Sequence, residues 1–115
     1  LPQAQLLEYL RSSLALLSAS TEEGFDYPVL EAKAEGTPPL ISDIPVHREF
    51  HQDSSLFFPV DDDGGALANH VIACLRDARL WTQLSHSGYA LAQRLSVDAQ
   101  VTSIGDLFRQ LCRTI

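Results

Sequence analysis

The chain has no methionine, not even at position 1, a single tryptophan, and a single lysine, Lys33. A first residue other than methionine leads us to expect a piece cut from a longer protein, with any targeting signal lying outside it. Positive charge is scarce: 8 Lys and Arg face 15 Asp and Glu, for a formal charge of -7. Such a surface repels a polyanion, which disfavours a nucleic-acid partner, because that role relies on basic residues that neutralise phosphates. A basic membrane-surface helix is disfavoured for the same reason. Long apolar runs are missing as well. Stretches such as Leu14 to Leu17 fall far short of the ~20 residues that a spanning helix needs.

Cysteine is nearly absent. Cys74 and Cys112 sit in helix-like stretches, too far apart to suggest a metal-binding pair, and both are expected to be reduced core thiols. No Gly-x-Ser-x-Gly elbow occurs, so a Ser-His-Asp triad has no basis. What is present is ordinary globular material. With 115 residues, 45% hydrophobic and 20% charged, residues 1–115 read as one domain with a single core.

The apolar spacing gives the element order. Pro2, Leu6, Leu7 and Leu10 predict a helix up to about Ser12, and the run Leu14 to Leu17 predicts a strand buried on both faces. A polar turn from Ser18 to Asp26 follows. Pro28 then opens a helix over Val29 to Glu35 that Gly36 stops. Pro39 to Ser42 and Leu56 to Val60 read as two more strands, with one or two helical turns from Val46 to His51 between them. Three helices complete the chain: one through Leu67 to Leu75, one through Leu80 to Leu95, and one from Val101 to Ile115. This alternation defines an α/β fold: a partial, Rossmann-like doubly wound parallel sheet of about three strands flanked by helices. It looks like the second half of a nucleotide-binding lobe, and the missing first half would leave the strand near Leu14 to Leu17 as an open edge.

The stretch with most chemical content runs from Glu23 through Gly24, Phe25, Asp26, Tyr27, Pro28, Val29 and Leu30 to Glu31. Two carboxylates lie eight residues apart, one in the turn after a strand and one in the following helix. Ligands of open parallel sheets bind beyond the carboxyl ends of the strands, where this turn falls. Free amides at the helix start suit a phosphate, and carboxylates accept hydrogen bonds from sugar hydroxyls. Together they point to a nucleotide sugar. Gly24 would let backbone approach such a ligand closely.

Read with Gly36-Thr37-Pro38-Pro39-Leu40-Ile41-Ser42-Asp43 and with Arg48-Glu49-Phe50 through Asp61, this stretch resembles the C-terminal lobe of family 4 glycosyltransferases of the GT-B fold. The likeness runs from about Pro2 to Leu111 and centres on a Glu-x7-Glu motif, Glu23 and Glu31. The resemblance implies that Glu31 binds the ribose hydroxyls of the donor nucleotide. It also implies that Glu23, the catalytic candidate, holds the transferred sugar with the amides of Gly24, Phe25 and Asp26. Val29 and Leu30 complete the implied donor-binding set. The family retains anomeric configuration and usually needs neither metal nor other cofactor, with the nucleotide sugar as substrate. Its diphosphate-binding Arg and Lys, and the N-terminal lobe that binds the acceptor glycan or lipid, have no counterpart here. This polypeptide alone is therefore expected to be inactive, to self-associate through its open sheet edge, and to derive from an enzyme of the cytoplasm or the inner face of the membrane.

Departures from the family pattern are Asp26, where a small residue is usual, Lys33 in place of a usual methionine, and Glu35. Two other readings stay open: a non-catalytic α/β interaction module, motivated by Asp26 and by the missing phosphate-binding residues, and a GT-B sugar-nucleotide epimerase. The simpler expectations are that Asp26 either caps the helix or touches ligand, that His47 and His51 form a surface pair, and that Glu49 is a helix-start or ion-pair residue. Asp61 to Asp63 should cap a helix, and Trp81, Tyr89 and Phe108 should serve as core or interface groups.

Overall fold

The computed structural model describes residues 2–114, the side chain of Thr114 excepted; Ile115, assigned above to the last helix, lies outside the described residues. The elements are α1 (Gln3–Ser12), β1 (Leu16–Ser18), α2 (Tyr27–Ala34), β2 (Pro39–Ser42), α3 (Pro45–His51), a 3-10 turn (Gln52–Ser54), β3 (Leu56–Phe58), α4 (Gly65–Arg76), α5 (Ala78–Arg94) and α6 (Val97–Thr114). The strands form one parallel sheet in the order β1-β2-β3, with Leu16, Leu17 and Ser18 opposite Pro39, Leu40 and Ile41, and Leu40, Ile41 and Ser42 opposite Leu56, Phe57 and Phe58. The α/β class and the parallel, helix-flanked sheet are as the sequence predicts.

Every residue of the central strand β2 is buried, as a parallel strand between helical layers requires. The expectation for Leu14 to Leu17 needs correction. The strand starts at Leu16, because the carbonyl of Leu14 accepts instead from the indole Nε1 of Trp81 at 2.8 Å, and Leu17 is 56% exposed because β1 is an edge strand. Strand β3 stops at Phe58, short of the predicted Val60, since Pro59 has no amide to continue the ladder.

Helix α2 begins two residues earlier than predicted. Pro28 sits in its first turn, where the missing N–H costs nothing. Its end is set by Gly36, which adopts φ 76°. The amide of Gly36 donates to the Lys33 carbonyl at 3.0 Å and that of Thr37 to the Ala32 carbonyl at 2.9 Å, the paired bonds of a Schellman motif. A Cβ added at Gly36 would lie 3.3 Å from Ser85 Oγ, which itself donates to the Gly36 carbonyl. Gly36→Ala is therefore expected to destabilise the fold by about 1–2 kcal/mol, the cost of a left-handed L-residue plus that contact, read as a lowered thermal midpoint. An unchanged midpoint would remove this account of the helix stop.

Asp77 caps α5 by accepting from the Leu80 amide at 3.0 Å. The Asp61 to Asp63 run works less directly than expected. Asp62 and Asp63 bind the amides of Gly64 and Gly65, while Gly64, at φ 88°, occupies the capping position of α4 without a side-chain cap. Cys74 is buried and burial pushes its thiol up, but Cys112 is exposed, which corrects its assignment to the core. The reason lies in α6, whose apolar residues Val97, Val101, Ile104, Leu107 and Phe108 are all exposed. Tyr89 is likewise exposed, so of the three aromatic core candidates only Trp81 is partly buried. No helix among the described residues is long and apolar enough to cross a membrane.

Candidate functional site

Beyond Ser18, at the carboxyl end of β1, the chain enters a polar turn that leads into α2. Ser20 Oγ donates to Glu23 Oε1 at 2.7 Å, which holds that carboxylate against the turn. Among the described residues, no protein acceptor takes the amide hydrogens of Gly24, Phe25 or Asp26, so three adjacent donors remain open just before the helix. The Phe25 ring packs against Tyr27 and Phe50, with centroids 5.1 and 4.7 Å apart, and so fixes the turn on α3.

The structure distributes the predicted site residues unequally. Glu23 and Gly24 are exposed and border a hollow of about 560 Å³ formed with Glu22, Pro45 and Glu49. Glu31 is also exposed, but with Phe25 and Leu30 it borders a second hollow of about 600 Å³, closed by Phe50 and by residues at the α5–α6 junction. The Glu-x7-Glu pair thus borders two separate hollows rather than one. Val29 does not belong with them. Its side chain is fully buried and its amide donates to the Asp26 carbonyl at 3.1 Å, so neither is open to a ligand. Glu49 makes no ion pair among the described residues; it lies exposed on α3 beside the Glu23 hollow.

Asp26 neither caps α2 nor faces solvent. It adopts φ 67°, a left-handed conformation that costs an L-residue roughly 1–2 kcal/mol, and its carboxylate turns inward. Oδ2 accepts from Ser18 Oγ at 2.7 Å and lies 2.7 Å from His47 Nε2. The other ring nitrogen, Nδ1, is 2.8 Å from the Ser42 carbonyl. A carbonyl can only accept, which assigns a proton to Nδ1. Nε2 and the Asp26 carboxyl then share a buried hydrogen bond.

His51, one turn further along α3, is tied to the other departure from the family pattern. Lys33 Nζ lies 2.8 Å from His51 Nδ1 and donates to Ser54 Oγ at 2.6 Å. Both histidines are 0% exposed, which corrects the expectation of a surface pair. Their i, i+4 spacing does place them on one helix face, but that face meets Asp26 and α2 rather than water. Desolvation by burial lowers the Lys33 ammonium from 10.5 to about 7. Burial lowers His51 to about 4, aided by the charges of Lys33 and His47 and opposed by Asp26 and the Phe25 carbonyl. His51 Nε2 has no hydrogen-bond partner of good geometry among the described residues.

Sequence reasoning missed this buried network. The available signal was local: a lysine in a helix position that the pattern fills with an apolar residue asks for a partner, and an aspartate where glycine-like freedom is usual asks for another. The two histidines on α3 are those partners.

An open parallel sheet with an acid-flanked turn beyond its first strand is the arrangement in which α/β proteins hold ligands. Comparison with known proteins agrees with this class. The chain belongs to the family described as glycosyl transferases group 1, whose model matches residues 1–91. It is 43% identical over 49 residues to the O-antigen chain mannosyltransferase RfbU of Salmonella typhimurium, which covers 43% of this chain and 14% of that protein. It is 42% identical over 53 residues to the serotype-specific mannosyltransferase WbdA of Escherichia coli, 46% of this chain and 6% of the relative. The chain thus spans a small part of the length of these curated relatives.

Proposed function

We propose that residues 1–115 form the C-terminal part of the donor-binding lobe of a retaining glycosyltransferase that moves a sugar from a nucleotide sugar to an acceptor hydroxyl. The supporting observation is the turn 23–26. It stands at the carboxyl end of β1, carries three open amides, and has an exposed glutamate on each side, Glu23 and Glu31. In this reading Glu31 takes the ribose hydroxyls and Glu23, with Gly24, Phe25 and the Asp26 amide, takes the transferred sugar, while Leu30 lines the Glu31 hollow. The relatives are named as mannosyltransferases, which makes a hexose donor the natural first choice.

The acceptor, a glycan or lipid, belongs to an N-terminal lobe outside these residues, as do the basic groups that hold the diphosphate. The isolated chain is accordingly inactive and associates through the uncovered edge of β1. The enzyme works in the cytoplasm or at the inner face of the membrane without a metal. Asp26 had motivated the reading as a non-catalytic module, through a negative charge near the diphosphate. Its burial against His47 takes away that part of the motive and leaves the one drawn from the missing phosphate-binding residues.

The test is amide NMR of the complete gene product titrated with GDP, UDP and ADP. One of them should shift the resonances of Gly24 to Glu31, and transfer should survive EDTA. Silence across that segment with all three nucleotides would end the donor-binding reading.

A further inference from the structure

The two features that set this chain apart from its family pattern, Asp26 and Lys33, are the two that engage the histidines of α3. Asp26 stands at the last residue of the donor turn, and its backbone torsions decide where the amides of Gly24, Phe25 and Asp26 itself point. A glycine there would reach the left-handed conformation freely and leave it as freely. Asp26 is instead held from two sides, by Ser18 of β1 and by His47 of α3, and His47 is itself anchored on the Ser42 carbonyl at the end of β2. The turn is thereby referenced to the ends of two strands and to a helix.

We propose that Asp26 and His47 are positioning residues for donor binding: their buried side-chain pair holds Asp26 in the left-handed conformation that presents the open amides of the 23–26 turn, and neither side chain touches the ligand. The inference rests on the donor-binding reading above. It assigns to His47, fully buried and outside both hollows, an effect on nucleotide affinity. It also places the Asp26 side chain with the framework that supports the ligand, and leaves to Asp26 only its backbone amide as a ligand contact. Pre-arranging a loop in its bound shape raises affinity by removing the ordering cost on binding.

The complete gene product would be studied as wild type, Asp26→Asn, and the double variant Asp26→Gly/His47→Leu. Calorimetric titration with GDP, UDP and ADP would be combined with hydrogen exchange at the Val29 amide, which donates to the Asp26 carbonyl. Asparagine keeps an acceptor for His47 and should hold the nucleotide dissociation constant within about threefold. The double variant accepts the same torsions and fills the histidine site with apolar volume. It should weaken binding by about tenfold, equivalent to ~1.4 kcal/mol, and speed Val29 exchange, with little change in melting temperature. Wild-type affinity in the double variant would overturn the proposal while leaving the donor-binding reading intact. Failure of the wild type to bind any of the three nucleotides would overturn both. If the double variant does not fold, His47→Asn, which keeps a donor but shortens its reach, replaces it: weakened binding supports the proposal and unchanged binding overturns it.

Discussion

Lys33→Met should flatten the dependence of the fold's stability on pH. Lys33 is 1% exposed, and burial lowers its ammonium from 10.5 to about 7. The unfolded chain thus holds a proton that the folded chain has given up between about pH 7 and 10.5, so stability rises with pH across that window. The full cost of burying the charge is present below about pH 7 and amounts to roughly 5 kcal/mol. His51 adds a second limb with the same sign: lowered to about 4 from 6.5, it makes stability fall as pH drops through that range. Above about pH 8.5 the raised thiol of Cys74 acts in the opposite direction, because the unfolded chain then loses its proton first.

Methionine has a similar length and no charge. It removes the first limb, and by removing the charge beside His51 it shrinks the second. Against this gain stand two groups left without their partner, His51 Nδ1 and Ser54 Oγ, each worth about 1–3 kcal/mol when buried and unsatisfied. Urea unfolding followed through Trp81, the single tryptophan, at pH 6.0, 7.5 and 8.5 would measure the balance. A wild-type curve flat from pH 7 to 8.5, or a variant that keeps the wild-type slope, would refute a lysine poised by burial.

The second large effect is expected at the motif acids in the complete gene product. Glu31→Gln should raise the KM for the nucleotide sugar about 10- to 100-fold with a smaller change in kcat, since a hydrogen bond to a charged acceptor contributes ~1.5–3 kcal/mol. Glu23→Gln should lower kcat/KM by about 10²-fold or more, because the carboxylate orients the sugar as charge develops on the leaving group. Both residues are exposed, and glutamine keeps the acceptor that Ser20 uses at Glu23, so neither change should move the melting temperature. Activity within threefold of wild type in both variants would mean that the turn is not the donor site.

The fold was readable because its signals are local. The run Pro39 to Ser42 carries its own boundaries in two prolines, and Gly36 marks the end of α2 through a torsion that other residues avoid. Sequence reasoning failed where the deciding partner is distant in the chain. Leu17 looks buried until the sheet order leaves β1 at an edge, and Cys112 looks like core until α6 is found with its apolar face uncovered. His47 and His51 look like surface residues because nothing near them in sequence could pay the cost of burying them. Asp26 and Lys33 do so from 21 and 18 residues away. The site divides in the same manner: the turn, its glycine and its two acids are written consecutively, but which of the neighbouring residues point inward is a property of the packed helices.

Gly88 on α5 lies against the aliphatic stem of Lys33, with a built Cβ only 3.0 Å from Lys33 Cγ. That stem cannot yield, since its far end is tethered to His51 and Ser54. The two positions therefore share one fixed volume, and a bulkier residue at 88 is admissible only with a shorter one at 33. A homologue carrying alanine or serine at the first position should thus carry a trimmed side chain at the second, and would surrender the lysine's hold on α3 in the exchange.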